Sequence, residues 1–148
     1  EAVKESSTDA RRVSAIRALV DRRLEISVGV DDAILEAIGV GATGWVAGLT
    51  NALPRESVDL LNLGIRGEAD KAFELYRWFL PLLRMDTVYN FVQLIKLVQS
   101  EVGMGNARVR PPRLELVGRE LEQARTTIRD ALRTRPQPLG VYALPNAK

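Results

Sequence analysis

The chain opens Glu1-Ala2-Val3-Lys4-Glu5-Ser6-Ser7, and Lys4 is the residue in it best placed to do chemistry. It follows two apolar residues, as a buried parallel strand would place it. The polar run Ser6-Ser7-Thr8-Asp9 comes next and can cap a helix beginning near Ala10. A lysine at the carboxyl end of a buried strand faces other strand ends. Desolvation there disfavours an ammonium and frees the neutral amine to attack a carbonyl. Lysines are mostly surface residues, so position alone leaves a solvated lysine as the other reading.

Other candidate groups have plainer explanations. Asp31 and Asp32 follow Gly29-Val30 and precede a helix, with no other ligand cluster near in sequence. They read as helix caps rather than as metal or acid–base carboxylates. The glycines of Gly39-Val40-Gly41-Ala42-Thr43-Gly44 resemble a phosphate loop. That run lacks the Lys-Ser/Thr ending and leads into a strand rather than out of one, so the loop is rejected. Tyr76, Trp78 and Phe79 read as packing or subunit contact. Arg108, Arg110 and Arg113 on a proline-rich segment read as salt-bridged or solvated.

Composition narrows the classes further. The chain has 148 residues, the size of one ordinary domain, and 46% hydrophobic residues supply a core. A net charge of +2 with interspersed signs gives no footprint for nucleic acid or an anionic membrane. There is no cysteine and no histidine, which excludes disulfides, thiolate or imidazole metal sites and a Ser-His-Asp triad. No metal site is therefore expected. No apolar run has the length of a membrane span, and no secretory signal is visible, so cytoplasmic residence is expected. The chain opens without Met, inside what reads as a strand with an unpaired edge. It is expected to be part of a larger protein whose N-terminal portion is cleaved, absent or carried elsewhere.

The elements that must position Lys4 follow from periodicity. Residues 9–20 carry apolar positions at helical spacing, residues 24–28 alternate as a strand, and Ala33 to Ile38 form a short helix. Residues 43–48 read as a third short strand. Strand, helix, strand, helix, strand is a parallel α/β pattern. Helices alone follow. One begins at Pro54 and stops at Gly67; a second runs from Glu68 to about Arg84, with Pro81 expected to kink it or end it early. A third, Thr87 to Val102, is capped by Asp86 and closed by Gly103. Residues 103–113 are irregular, and a last helix covers Gly118 to about Arg133. The tail from Pro136 to Lys148 reads as a flexible or docking segment.

In order and spacing, four stretches resemble the dihydrodipicolinate synthase and N-acetylneuraminate lyase family of Schiff-base-forming enzymes. They are Val3-Lys4-Glu5-Ser6-Ser7, Gly29-Val30-Asp31-Asp32, Gly41 to Gly48 followed by Asn51, and Arg108-Val109-Arg110-Pro111-Pro112-Arg113-Leu114. The resemblance implies strands six to eight of a (β/α)8 TIM barrel (residues 1–66), a helical C-terminal extension (67–135) and a tail (136–148). Strands one to five would lie outside the chain, since such a barrel needs about 250 residues.

By that resemblance Lys4 matches the Schiff-base lysine, Gly29 a glycine beside the bound oxo acid, and Val46 an apolar residue that contacts substrate. The family's proton-shuttling tyrosine and carboxylate-binding loop match nothing here; Tyr76, Tyr89 and Tyr142 lie on the extension or tail. The implied chemistry needs no cofactor, only a covalent Schiff base with substrate. The implied partners are a small 2-oxo acid or pyrroline carboxylate, the N-terminal half of the barrel, and further copies in a dimer or tetramer. Residues 76–83, 86–97 and 44–48 look most similar to a branch that deaminates 1-pyrroline-4-hydroxy-2-carboxylate in hydroxyproline degradation. Dihydrodipicolinate synthase, condensing pyruvate with aspartate semialdehyde, is the second reading. A helical interaction module without activity is the non-enzyme alternative.

Overall fold

The computed structural model describes residues 1–137 and 139. Three parallel strands form one sheet in sequence order: β1 (Ala2–Glu5), β2 (Glu25–Val28) and β3 (Gly44–Trp45). Lys4 lies opposite Ser27, and Ser27 opposite Gly44. The third strand is shorter than its sequence suggests, because after Trp45 the chain turns away into a 3-10 turn at Leu49–Asn51.

The first crossover is α1 (Ala10–Val20). Asp9 caps it, accepting a hydrogen bond from the Arg11 backbone N–H at 3.0 Å. Arg17 closes the unit by donating to the carbonyls of Gly41 (2.7 Å) and Leu24 (3.0 Å). The second crossover is a 3-10 turn at Asp31–Ala33 followed by α2 (Ile34–Gly39). Strand side chains alternate between faces. Ile26 and Val28 point to the helix side and pack with Val13, Ile34 and Ala37, all buried.

Four helices follow. In α3 (Pro54–Arg66) Pro54 occupies the first turn and Gly67 closes the helix at φ 71°, a conformation that suits glycine. Next, α4 (Ala69–Leu83) passes through Pro81 and continues into a 3-10 turn at Arg84–Thr87. The expected early end does not occur. Pro81 sits in the last turn of α4, where its missing N–H removes one helical hydrogen bond close to the point at which the helix gives way to the 3-10 turn. The third helix, α5 (Phe91–Glu101), begins four residues later than expected, so Asp86 does not cap it. The last, α6 (Gly118–Arg133), lies against α4, with Trp78 Nε1 donating to the Ala131 carbonyl at 2.9 Å.

Of the α4 aromatics, Phe79 is fully buried, Tyr76 nearly so and Trp78 packs partly buried against the core, while Phe73 is exposed. Tyr76 donates to the Asp32 carbonyl and to Glu36, and so fastens the helical part to the turn after β2. Arg108, Arg110 and Arg113 are exposed. The expectation for the tail falls mostly outside the described residues. Within them Arg135 pairs with the buried Glu56, and the Leu139 N–H donates to Asp59 at 2.9 Å. No helix among the described residues is long and apolar enough to cross a membrane.

Phe79 is fully buried in a single core cluster that takes in both strand-side and helical residues. Phe79→Ala should cost about 3–5 kcal/mol, read as a lower denaturation midpoint at unchanged slope.

Candidate active site

Parallel strands bring their carboxyl ends to one edge, and here that edge collects the residues of interest. Lys4 on β1 and Ser6 just past its end share a face by the period of two. The matching face of the neighbouring strands carries Ser27, then Gly29 and Gly44, with Val46 next in the alternation. Around the carboxyl ends this face is small apart from Lys4 and Val46, with Glu25 further back on β2.

The contact that organises the face is between Lys4 and Gly29. A methyl group on Gly29 would come within 2.2 Å of Lys4 Cε and 2.2 Å of Ser6 Oγ. The lysine side chain therefore lies across a backbone that offers it no Cβ. The sequence-based triplet of Lys4, Gly29 and Val46 falls on one face in this way. Burial of Lys4, expected from its apolar neighbours, is not seen. Lys4 is exposed, and Val46 is 51% exposed. The apolar neighbours serve the opposite face, where α1 and α2 pack; no described element covers the lysine face.

Beside this face lies a carboxyl pair that the cap reading of Asp31 and Asp86 missed. Asp31 is fully buried. It does not cap its own helix. It accepts hydrogen bonds from the backbone N–H groups of Gly48 (2.9 Å) and Leu49 (2.8 Å). Its side chain also meets that of Asp86, which accepts the Asp31 backbone N–H as well. Gly48 makes room for this: a Cβ there would meet Ile95 Cδ1 at 2.5 Å and Asp86 Oδ1 at 3.1 Å.

Two like charges in one dry place cannot both form cheaply. Burial first, and the Asp86 charge with it, push the Asp31 carboxyl up to about 7, against the pull of the two N–H donors. Burial also raises Asp86, while the Asp31 N–H and the Lys4 ammonium favour its charged form. Tyr76 is raised well above the usual phenol range by burial and by Glu36, so it remains a donor. Tyr89 is exposed on the extension, and Tyr142 lies outside the described residues. The described residues contain no group of three or more carboxylates, imidazoles or thiols able to hold a metal ion.

Residues 1–131 match the model of the dihydrodipicolinate synthetase family. The chain belongs to that family. A 4-hydroxy-tetrahydrodipicolinate synthase of Endomicrobium trichonymphae is 31% identical over 114 residues, 77% of this chain and 39% of that protein. The enzyme of the same name from Caldicellulosiruptor bescii is 32% identical over 117 residues, 78% of this chain and 38% of its own length. The chain thus spans about two-fifths of these relatives. Among solved structures, the 4-hydroxy-tetrahydrodipicolinate synthase of Methylacidiphilum fumariolicum SolV superposes with a TM-score of 0.81 at 27% identity. That superposition covers 89% of this chain and 44% of the other. The α/β fold is therefore one shared with the family's TIM-barrel enzymes.

Sequence reasoning missed Ser6, Ser27 and Asp86. The first two were reachable from alternation about Lys4 and Gly29. For Asp86 no local signal exists, because its partner is 55 positions away.

The pair makes a checkable demand on stability. Folding raises the Asp31 pKa from 3.8 to about 7, so the folded state holds more protons than the unfolded state between these values. Stability should therefore fall as pH rises through that window, by about 1.4 kcal/mol per unit of separation at most. In Asp86→Asn the amide can donate to an ionised Asp31 and still accept its backbone N–H. Denaturant melts of the native polypeptide from pH 4 to 8 should show the slope reduced in that variant.

Proposed function

We propose that Lys4 is the nucleophile of a Schiff-base-forming lyase acting on a 2-oxo acid. The observation that carries this is the placement of Lys4 across the bare backbone of Gly29, at the carboxyl ends of parallel strands. In barrels built from βα units, chemistry is done at that end of the strands. On this reading the chain supplies strands six to eight of the barrel and the helical extension. Strands one to five, and the covering of the lysine face, come from polypeptide beyond these residues, and the whole assembles as a homo-oligomer.

The neutral amine adds to the 2-oxo carbon. Loss of water leaves a protonated imine whose positive charge lies beside the reacting carbon. Loss of a C3 proton then gives a neutral enamine: the C3–H electron pair forms the C2=C3 double bond and the imine π pair moves onto the lysine nitrogen. The enamine carbon attacks an aldehyde, and water returns the lysine. Gly29 leaves space for the flat imine against the strand, and Val46 gives it an apolar wall. No cofactor is required by this sequence of steps.

The names of the relatives support condensation of pyruvate with aspartate semialdehyde ahead of pyrroline deamination. The deaminase reading rests on the similarity of residues 76–83, 86–97 and 44–48. Borohydride reduction of the native protein with pyruvate should add the reduced adduct's mass to the Lys4 peptide, and Lys4→Ala should lose it. Adduct with a pyrroline carboxylate but not with pyruvate would favour deamination. No adduct with either leaves the interaction-module alternative.

Gly29→Ala separates position from folding. The clashing atoms are the far end of a lysine and a serine hydroxyl, which can move. The melting temperature should stay within a few degrees, while adduct formation slows about 100-fold as the amine is displaced.

A further inference from the structure

A cavity of about 390 Å3 lies between α3, α4 and the segment that follows α6, a size that takes a small organic molecule. Glu56 and Asp59, one turn apart on α3, form an acidic wall. Leu75 and Trp78 of α4 form an apolar wall, and the exposed Glu74 adds a third carboxyl. None of Lys4, Gly29 and Val46 lines this space.

Glu56 is 2% exposed, yet only half of its carboxylate is satisfied. Its Oε1 pairs with Arg135, while Oε2 is shut from solvent and receives no hydrogen bond from any described residue. A buried carboxylate oxygen in that state costs stability that a charged donor would restore. Several lining groups are engaged elsewhere. Asp59 is an acceptor and takes the Leu139 N–H at 2.9 Å. The Trp78 indole N–H goes to the Ala131 carbonyl at 2.9 Å, which leaves the ring only its carbon surface to offer. The Lys71 ammonium is exposed and held by Glu68 at 2.7 Å.

We propose that this cavity binds an organic cation, an alkylguanidinium or alkylammonium, whose head donates to Glu56 Oε2 and whose apolar stem lies on Leu75 and Trp78. The terminal torsion of a glutamate is soft, so a donor at the wall draws Oε2 towards it without moving the helix. A cationic N–H makes the shorter and stronger kind of hydrogen bond to a carboxylate, and an indole face attracts the same head. Glu56, Asp59 and Glu74 outnumber Lys71 and Arg135, so the surroundings stay negative. A ligand carrying its own carboxylate is repelled there. The fit is to a simple amine or guanidine rather than to an amino acid.

The test is isothermal titration of the complete native polypeptide at neutral pH with n-butylguanidinium and n-butylammonium, and with butyrate and butanol as probes of charge. At least one of the two cations should saturate one site per chain with a dissociation constant of about 1 mM or below, and butyrate and butanol should not saturate over that range. Glu56→Gln keeps the shape and removes the charge, and should weaken binding about ten-fold or more. Glu74→Lys, at an exposed position, should weaken it about two- to five-fold, the difference shrinking as salt is raised. Saturation by butyrate or butanol, no saturation by either cation, or an affinity unchanged in Glu56→Gln overturns the proposal. Should that variant fail to fold, an affinity unchanged in Glu74→Lys at low salt overturns it instead.

Discussion

The buried carboxyl of Asp31 is the interaction on which the rest of this structure depends. One side chain from the turn after β2 satisfies two backbone N–H groups of the segment after β3. Left without an acceptor, each would cost about 1–3 kcal/mol. The same carboxyl meets Asp86, and Ile95 fits beside them only because Gly48 has no side chain. Three distant parts of the sequence are thus fixed at one point: the strand end, the third turn and the extension. Tyr76 adds a second tie from α4 to that turn.

Legibility in the sequence followed the range of the interaction. The helices over 10–20, 54–66 and 118–133 were readable because their signals are local: a capping aspartate, a proline in the first turn, a glycine after the last. Gly29 and Val46 were named beside Lys4 only through the family resemblance; that the three share a face follows from the strand period and the parallel order. Two carboxylates were misread for one reason. An aspartate before a helix can cap it or can bond a group far along the chain, and spacing alone does not distinguish these. Lys4 was misjudged differently. Apolar neighbours report burial of the opposite face, and what covers the lysine's own face is a matter of tertiary structure.

Membership of the family and the geometry bear on different questions. The match over residues 1–131 assigns the chain to its fold and ancestry. It does not say why these residues serve. The coordinates add that a glycine is demanded at position 29 by what lies over it, and at position 48 by what docks there. The two requirements differ in kind. At 29 the neighbours are mobile side-chain ends. At 48 they include a helix-borne isoleucine and a carboxylate held by the backbone.

The alternation along the strands has an evolutionary consequence. Val3, Ile26 and Val28 face the helices, while Lys4, Ser27 and Gly29 face away from them. Core positions and open-face positions are therefore interleaved, nearly separate sets. A lineage can exchange residues of the open face while selection on the other set keeps the scaffold intact.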